Sequence, residues 1–400
     1  MKHLVPATAL ALVFAAPGLA AAQDADPGEA ETRSQARTDD VILVRGRAQR
    51  LYRVGAPEAG KLDTAPLESA LTIQTINRQL IEDQGARDAR DLYRNLSGVS
   101  FFSYAGVTAR GFRQEENFYD GLRGDPYAGF SVPQLFNIER IEYLKGPAGM
   151  LYGPGAPGGL FNYVTKAPGD ERLVETSLVA GTDARYGASF EAEGPLSERV
   201  NGRAGAFYED RNLARRNADS RVEIYDAGLA FELDRGEVVL QATRYEQDLG
   251  ANRLRGVPVD DFGRFRTDRR WNHNEPGDFL RLQSDVLQAS AQYALTEDID
   301  LDGAIRWVSG QETQQYHEPR GLFPRQNTAG AFLDADRNVV ADPADAELVM
   351  VREFRDQLRD NDQISLGANA VWRTALAGLP TRVLAGFDHF SDERSLVYDL

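Results

Sequence analysis

Apolar and polar residues alternate strictly along much of the second half of the chain. The alternation is clear over residues 225–233 and 364–372, where every second side chain is apolar. A period of two indicates a β-strand that has one face in apolar surroundings and the other in water. About nine such segments occur, some joined by short polar turns and others by long charged loops such as 252–278 and 314–356. This pattern predicts an antiparallel β-sheet over residues 171–400.

The length and composition of these strands favour a membrane-spanning barrel over a soluble β-sandwich, although both folds alternate. Several runs reach the roughly ten residues that cross a bilayer at a tilt, and their apolar face is rich in Tyr, Phe and Trp. Short turns at one end and long loops at the other are typical of outer-membrane barrels. We therefore predict a transmembrane antiparallel β-barrel, with the soluble β-sandwich as the alternative.

Residues 52–168 have a different, mixed pattern. Leu71–Ile76 and Ile138–Leu144 are strand-like, and the apolar spacing over residues 80–96 is typical of short helices. We predict a compact α+β domain over residues 52–168, which is long enough to bury a core of its own.

Residues 1–22 have the pattern of a secretory signal peptide. Lys2 precedes a run of mostly Ala, Leu and Val, and small residues continue to Ala22, where we expect cleavage. The alternative is a buried first helix. Residues 23–51 are polar and are expected to be disordered. Their apolar run Val41–Val44 is either the first edge strand of the next domain or a peptide that adds a strand to a partner's sheet.

Composition limits the partners that the chain can have. The 45 basic and 61 acidic residues give a net charge of -16, which argues against binding to nucleic acid and to anionic membrane surfaces. The chain has no cysteine, so disulfides cannot stabilise it in the oxidising space that an exported protein reaches.

The stretch Lys145–Pro168 contains a G-x-G-x-x-G pattern at Gly153–Gly158. A dinucleotide-binding loop must lead into a helix, but the segment that follows, residues 160–166, is β-branched and aromatic. The intervening prolines also remove amide donors. We therefore predict that these glycines serve sharp turns and close backbone approaches.

No motif for catalysis or for a resident metal is found. Residues 297–303 resemble the start of a calcium loop, but the twelfth position would be Ser309 instead of glutamate. The four histidines lack a metal-ligand spacing, and no G-x-S-x-G sequence occurs. We predict neither an enzyme nor a bound cofactor or metal.

The sequence resembles TonB-dependent outer-membrane receptors of the ferric-siderophore type. Residues Ile138–Lys166, IERIEYLKGPAGMLYGPGAPGGLFNYVTK, are similar to the plug signature of that family nearly residue for residue. Arg110–Phe112 is similar to its RGF element, and Tyr119–Leu122 to a second plug element. The resemblance extends over residues 39–400.

The resemblance implies an α+β plug domain, residues 52–168, inside a transmembrane antiparallel barrel of about 22 strands. Only about 9 to 10 strands occur in residues 171–400, so we expect the chain to be an N-terminal part of such a barrel. It further implies a monomeric barrel in the outer membrane of a Gram-negative bacterium, contact with membrane lipid, and import of a ferric siderophore. Iron would enter only as part of that cargo.

The resemblance also implies roles for particular residues. The box that pairs with TonB, the periplasm-spanning protein energised by the inner membrane, is expected at Asp40, Val41, Ile42, Leu43 and Val44. Candidate ligand contacts are Arg113, Gln114, Arg123, Tyr127 and Phe130 in the plug, and Trp271, His273, Tyr316 and His317 in barrel loops. Plug architecture is assigned to Arg110, Gly111, Glu139, Arg140, Glu142, Gly146, Pro147, Gly153, Gly158 and Gly159. Arg110, Glu139, Arg140 and Glu142 are expected to form buried ion pairs that lock the plug to the barrel.

Two other kinds of transporter remain open at this point. A receptor for cobalamin or an oligosaccharide would share the plug and the barrel. A passive porin-like channel would need neither a plug nor a TonB box.

Overall fold

The computed structural model describes residues 52–399, except 53–54, 63, 66–67, 103–105, 115–116, 128, 130, 252, 254 and 261. The predicted signal peptide, the predicted polar extension with its box at Asp40–Val44, and Phe130 lie outside the described residues.

Residues 52–168 form the predicted α+β domain, which we call the plug. Its larger sheet has the order β1-β6-β7-β5, and its smaller one the order β2-β3-β4. The strands are β1 (Ile73–Asn77), β2 (Val99–Phe101), β3 (Val107–Ala109), β4 (Phe112–Gln114), β5 (Phe118–Tyr119), β6 (Ile138–Lys145) and β7 (Gly159–Thr165). The helices are α1 (Arg78–Asp83), α2 (Ala89–Tyr93) and α3 (Gly149–Tyr152), and a 3-10 turn spans Glu58–Gly60.

No helix in the described part of the chain is both long enough and apolar enough to cross a membrane.

Aromatic rings of β6 and β7 fill the centre of the plug. Tyr143 and Phe161 stack with their ring centroids 4.7 Å apart, and Tyr119 stacks on Tyr163 at 5.1 Å. These four residues are fully buried. Such rings bury a large apolar area with few flexible bonds, so they give the plug a rigid core.

Within the described residues, nine strands form a second, larger sheet, which we call the wall. Its strands follow one another in sequence order as an antiparallel meander, with β8 and β18 at its edges. They are β8 (Leu173–Ala180), β9 (Tyr186–Ser197), β10 (Val200–Asn212), β11 (Asp219–Leu233), β12 (Gly236–Gly250), β13 (Phe279–Ala294), β14 (Ile299–Pro324), β17 (Leu348–Leu376) and β18 (Leu379–Asp399). A hairpin of β15 (Phe332–Leu333) and β16 (Val339–Val340) and a 3-10 turn, Pro343–Asp345, lie between β14 and β17. The predicted set of about nine strands is confirmed.

The connections of the wall differ at its two ends. Turns of only a few residues join β9 to β10, β11 to β12, β13 to β14 and β17 to β18, and we call this the short-turn end. Residues 251–278 and 325–347 make the longest connections at the opposite, long-loop end. This is the predicted asymmetry of an outer-membrane barrel.

The wall has a band of exposed apolar side chains on the face away from the plug. On β11, Tyr225 and Leu229 are exposed, whereas Asp226 between them is buried. Leu229 pairs with Leu240 across the strands, and Leu287 pairs with Trp307. The alternation predicted from the sequence is confirmed, but the polar face meets the plug as well as water.

Two glycines allow the plug strands to approach neighbouring backbone. A Cβ at Gly158 would lie 2.0 Å from the carbonyl oxygen of Ala109, and one at Gly159 would lie 2.4 Å from that of Leu144. Gly159 also has a φ of 140°, which side-chain-bearing residues rarely adopt. The Gly-Pro stretch therefore makes close backbone approaches that a side chain at Gly158 or Gly159 would block. Gly111, Gly146 and Gly153 have positive φ as well.

We predict that Gly158→Ala weakens the plug by about 1–3 kcal/mol, because the added methyl group overpacks against the Ala109 carbonyl. Gly155→Ala is the matched control, since a Cβ there has no neighbour within 4 Å. Hydrogen exchange of the β7 amides in the full chain measures the effect. Equal protection of β7 in the two variants would show that the close approach of Gly158 to Ala109 does not affect the stability of the plug.

Candidate functional site

The plug is fixed to the inner face of the wall, the face that packs on residues 52–168, by buried polar contacts. Arg306 donates from Nε to the Gly124 carbonyl over 2.9 Å, and Gln288 donates to Asp120 Oδ2 over 2.8 Å. Asn137 donates to the Tyr245 hydroxyl over 2.6 Å. A buried polar group without a partner is costly, so these paired groups set the position of the plug.

Ion pairs add to this attachment. Asp88 of the plug lies 3.1 Å from Arg211 on β10, and Lys166 pairs with Glu191 on β9. Burial alone would raise the pKa of Asp88, but Arg90 and Arg211 outweigh it and hold that pKa below its usual range. The carboxylate therefore stays ionised and keeps both guanidinium partners.

The ion pairs expected to lock the plug to the wall were assigned to the wrong residues. Arg140 pairs with Glu142 at 2.8 Å and with Glu58 at 2.6 Å, and all three belong to the plug. Arg110 and Glu139 are exposed. The cause is the position of β6, which has plug strands β1 and β7 on its two sides.

An exposed aromatic surface lies on the small plug sheet beside the predicted ligand residue Arg113. Phe101, Phe102 and Phe112 are each about half exposed, at 48%, 49% and 49%. The Arg113 guanidinium lies 5.0 Å from the centroid of the Phe102 ring. A cation over aromatic faces can bind a rigid ligand by charge and by stacking at once. Sequence reasoning missed the three phenylalanines, although the run Phe101-Phe102 between polar residues is visible.

Gln114 and Arg123 lie in a cleft of about 350 Å³ that Arg113 also lines. Arg123 donates to the carbonyl oxygens of Tyr152 and Pro154 over 3.1 and 2.5 Å. Its guanidinium also lies 5.1 Å from the Phe118 ring centroid. Arg123 therefore holds the Gly-Pro loop against β5, in addition to lining the cleft.

Tyr127, which was predicted to contact the ligand, is buried between plug and wall in this structure. Its ring is buried and packs edge-on against Tyr245, with centroids 5.0 Å apart. Burial raises the pKa of Tyr127 well above its usual value. Tyr127 is part of the contact between plug and wall, because its ring fills the space beside Tyr245.

The predicted loop candidates gather at the long-loop end. His317 Nδ1 lies 2.8 Å from Asp278 Oδ1, and Arg253 stacks over the Tyr316 ring at 4.4 Å. His273 is buried, and its ring lies 6.0 Å from that of Trp271. These side chains fix the loop 251–278 onto β14. Tyr316 and His317 were predicted in a loop but lie on β14 itself, because that strand extends to Pro324. Trp271 and His317 keep part of their surface open.

A chain of hydrogen bonds joins the plug to this loop. Ser131 donates to Glu312 over 3.2 Å, Gln314 donates to Glu312 over 2.5 Å, and Arg253 donates to Gln314 over 2.6 Å. Gly129 packs so closely on Glu312 that a Cβ would lie 2.6 Å from it. Sequence reasoning missed Glu312 and Gln314. The two-residue spacing of Glu312 and Gln314 on a long strand places both on one face, and this was the sequence signal that could have found them.

Among the residues that the structure describes, no three His, Asp or Glu side chains come close enough together to hold a metal ion.

Comparison with known proteins identifies the plug. Residues 65–160 match the TonB-dependent Receptor Plug Domain family. The chain is 29% identical over 201 residues to the ferripyoverdine receptor of Pseudomonas aeruginosa, which covers 48% of this chain and 25% of that protein. It is 36% identical over 161 residues to the ferrioxamine B receptor of Salmonella typhimurium, covering 36% of this chain and 23% of that protein. The chain thus matches about a quarter of the length of these relatives.

Solved structures share the fold of plug and wall together. The open form of the ferric-catecholate import receptor Fiu from Escherichia coli K12 superposes with a TM-score of 0.72 and 18% sequence identity. The match covers 84% of this chain and 51% of that chain. The predicted architecture of an α+β plug against barrel strands is confirmed.

We predict that the loop 251–278 detaches from the wall as pH falls. Burial lowers the pKa of His273 from its ordinary 6.5 to about 4, so the docked loop favours the neutral ring. The equilibrium constant for docking of the loop is unaffected by His273 above pH 6.5 and falls as the pH drops toward 4. At about pH 5 it should be at least about tenfold smaller than at neutral pH. Trp271 fluorescence, with Trp307 and Trp372 replaced by Phe, reports the change.

His273→Gln should remove this pH dependence, whereas the exposed His389→Gln on β18 should keep it. An unchanged pH response in His273→Gln would assign the transition to another group, such as the Asp278 and His317 pair.

Proposed function

We propose that this chain, whose residues 65–160 match the TonB-dependent Receptor Plug Domain family, is a receptor that binds a ferric siderophore and imports it with energy delivered through TonB. The observation that carries the proposal is the plug itself, fixed by buried polar contacts to the inner face of an antiparallel wall. The curated relatives are named as receptors for ferripyoverdine and ferrioxamine B.

The exposed face of the wall supports a place in the outer membrane. On β11 the apolar band runs from Tyr225 to Leu233, a length of about 26 Å at the rise of a strand. This matches the apolar height of about 25 Å of outer-membrane barrels. Toward the long-loop end the same face becomes charged, with Arg244 beside Asp285 at 3.2 Å. The long loops then face outward and the short turns face the periplasm.

The exposed phenylalanines and Arg113 are the proposed contact surface for the chelate. A ferric siderophore is rigid, polar and rich in acceptor oxygens, and guanidinium groups and ring faces suit such a ligand. Iron is cargo held by the siderophore, and the proposal assigns no resident cofactor, metal or enzymatic activity to the chain.

Energy is proposed to arrive through the segment Asp40–Val44. The sequence has no nucleotide-binding loop, so the work of transport must come from a partner. A β-branched and leucine-rich segment can pair with TonB as an added strand by backbone hydrogen bonds.

Iron uptake tests the proposal. Cells that carry the complete gene should take up radiolabelled iron from one member of a panel of ferric siderophores. Leu43→Pro should abolish uptake, because proline removes an N–H donor from the added strand. Leu43→Val is the matched control and should leave uptake within about twofold, since valine suits a strand.

Uptake that is unchanged in the Leu43→Pro variant would indicate a passive channel and overturn the energised mechanism. If no ferric siderophore enters while cobalamin or an oligosaccharide does, the siderophore assignment is wrong and the receptor class stands.

We also predict that Arg113→Ala weakens binding of the imported chelate by about tenfold, because the variant loses a cation at the aromatic surface. Arg199→Ala removes an exposed arginine at the short-turn end and should leave affinity unchanged. Equilibrium binding to the full chain in detergent measures both. Equal affinities in the two variants would place the ligand elsewhere.

A further inference from the structure

One glycine of the plug lies directly on an ion pair of the wall, near the long-loop end. Gly129 is exposed, and its φ of 119° is one that residues with a side chain rarely adopt. A Cβ at this position would lie 2.6 Å from Glu312 on β14 and closer still to Arg359 on β17. Arg359 and Glu312 are themselves paired at 3.4 Å. The plug backbone can therefore approach this pair only because residue 129 has no side chain.

Two side chains of the wall hold the residues that follow Gly129. Glu312 accepts the hydroxyl hydrogen of Ser131 over 3.2 Å. Gln247 on β12 donates to the Val132 carbonyl over 2.7 Å and accepts the Val132 N–H over 3.4 Å. All four residues are buried, so a lost partner leaves a polar group unsatisfied. We call Gly129, Ser131 and Val132 the plug contact.

The same glutamate is joined to both limbs of the loop 251–278. Gln314 donates to Glu312 over 2.5 Å, and Arg253 on the first limb donates to Gln314 over 2.6 Å. Asn274 on the returning limb donates to the carbonyls of Arg253 and Ala251 over 3.3 and 2.8 Å. Glu312 therefore lies between the plug contact and the whole base of the loop.

Burial makes this chain of hydrogen bonds sensitive to displacement. The exposed fraction is 5% or less for Ser131, Glu312, Gln314 and Asn274, and 6% for Arg253. Water does not readily replace a lost partner in such surroundings, and each bond polarises the next. A displacement of the plug contact therefore costs free energy at the loop, and a displacement of the loop costs free energy at the plug contact.

We propose that Glu312 is a positioning residue for chelate binding: from the wall, it fixes the plug contact and the loop 251–278 against each other, so that each stabilises the other. This inference rests on the proposed function, because the long-loop end is the side from which a chelate arrives. Phe130, a predicted ligand contact outside the described residues, lies between Gly129 and Ser131 in the sequence.

The proposal requires a reciprocal effect. Two elements that share a partner have coupled equilibria, and the coupling free energy is the same whichever element is changed first. The loop has the two states that such coupling needs, docked and detached. A change in the plug contact should therefore shift the loop between these states, and a change in the loop should loosen the plug contact by a similar factor.

Hydrogen exchange of the full chain in detergent, without any chelate, tests the coupling from the plug side. Gly129→Ala forces the plug contact away from Glu312, so the amides of residues 271–278 should exchange at least about fivefold faster. Gly149→Ala is the matched control, since a Cβ there has no neighbour within 4 Å, and it should leave loop exchange unchanged. Loop exchange that is the same in the two variants would overturn the proposal.

The reciprocal change starts in the loop. Arg253→Met removes the donor to Gln314 and should speed exchange of the Val132 amide by at least about fivefold. Arg281→Met, which changes an exposed arginine of β13, should not. A Val132 amide that exchanges at the same rate in both variants would contradict the proposal.

Changes at position 312 test whether the coupling runs through Glu312. In a Glu312→Ala background, Gly129→Ala should no longer speed loop exchange, because the group that joins the two elements is gone. Glu312→Gln keeps an acceptor oxygen and should keep part of the effect. If Glu312→Ala does not fold, Gln314→Leu breaks the chain one bond nearer the loop. An undiminished effect of Gly129→Ala in these backgrounds would overturn the proposal.

Chelate binding provides the last measurement. The ferric siderophore that the uptake panel identifies, at saturating concentration, should slow exchange of residues 271–278 by at least about fivefold. Glu312→Ala should lose this protection, whereas Glu246→Ala, beside Arg244 on the outward face of the wall, should keep it. Full protection in Glu312→Ala would overturn the proposal.

The measurements separate the two claims. If no ferric siderophore binds to the unmodified protein, the proposed function is wrong, and the exchange rates of the chelate-free variants still decide whether Glu312 couples the plug contact to the loop.

Discussion

The structure depends on the need to satisfy the polar inner face of a sheet whose apolar side chains point away from the protein. Buried residues such as Asp226, Gln288 and Glu312 lie on that inner face, where an unpaired polar group costs free energy. The plug supplies partners for several of them, and the wall supplies partners for plug groups such as the Gly124 carbonyl. Plug and wall therefore stabilise each other through hydrogen bonds as well as through a shared apolar cluster that includes Phe207, Ile224 and Val308 of the wall.

This arrangement limits how the plug can move. Displacing all of it would break many buried hydrogen bonds and ion pairs at once, at a cost far above that of a local opening. Residues 56–62 join neither plug sheet, and the N–H groups of Glu58 and Ala59 donate to Glu142. A local opening therefore costs less than displacement of the whole plug, which Arg306 and Asn137 keep in place.

Much of the fold followed from the sequence because two-residue periodicity is clear in wall strands such as β11 and β13, and because the glycine-rich signature of β6 and β7 is distinctive. The hydrogen-bond and packing partners of individual side chains could not be predicted, since they depend on residues that are distant in the sequence. Glu142 was predicted to contact the wall but accepts hydrogen bonds from Glu58 and Ala59 within the plug. Tyr127 was predicted to contact the ligand but packs on Tyr245 of the wall. Glu312 was missed because its role depends on the approach of Gly129, 183 positions away in the sequence.

The central claim is that the contacts with the wall hold the core strands of the plug firmly. Hydrogen exchange of the full chain in outer-membrane lipid tests it most directly. The account predicts that the amides of Glu58 and Ala59 exchange at least about a hundredfold faster than those of β6 and β7, in a separate local opening. Exchange of Glu58, Ala59 and the core strands at one common rate would contradict it, because the plug would then open only as a whole.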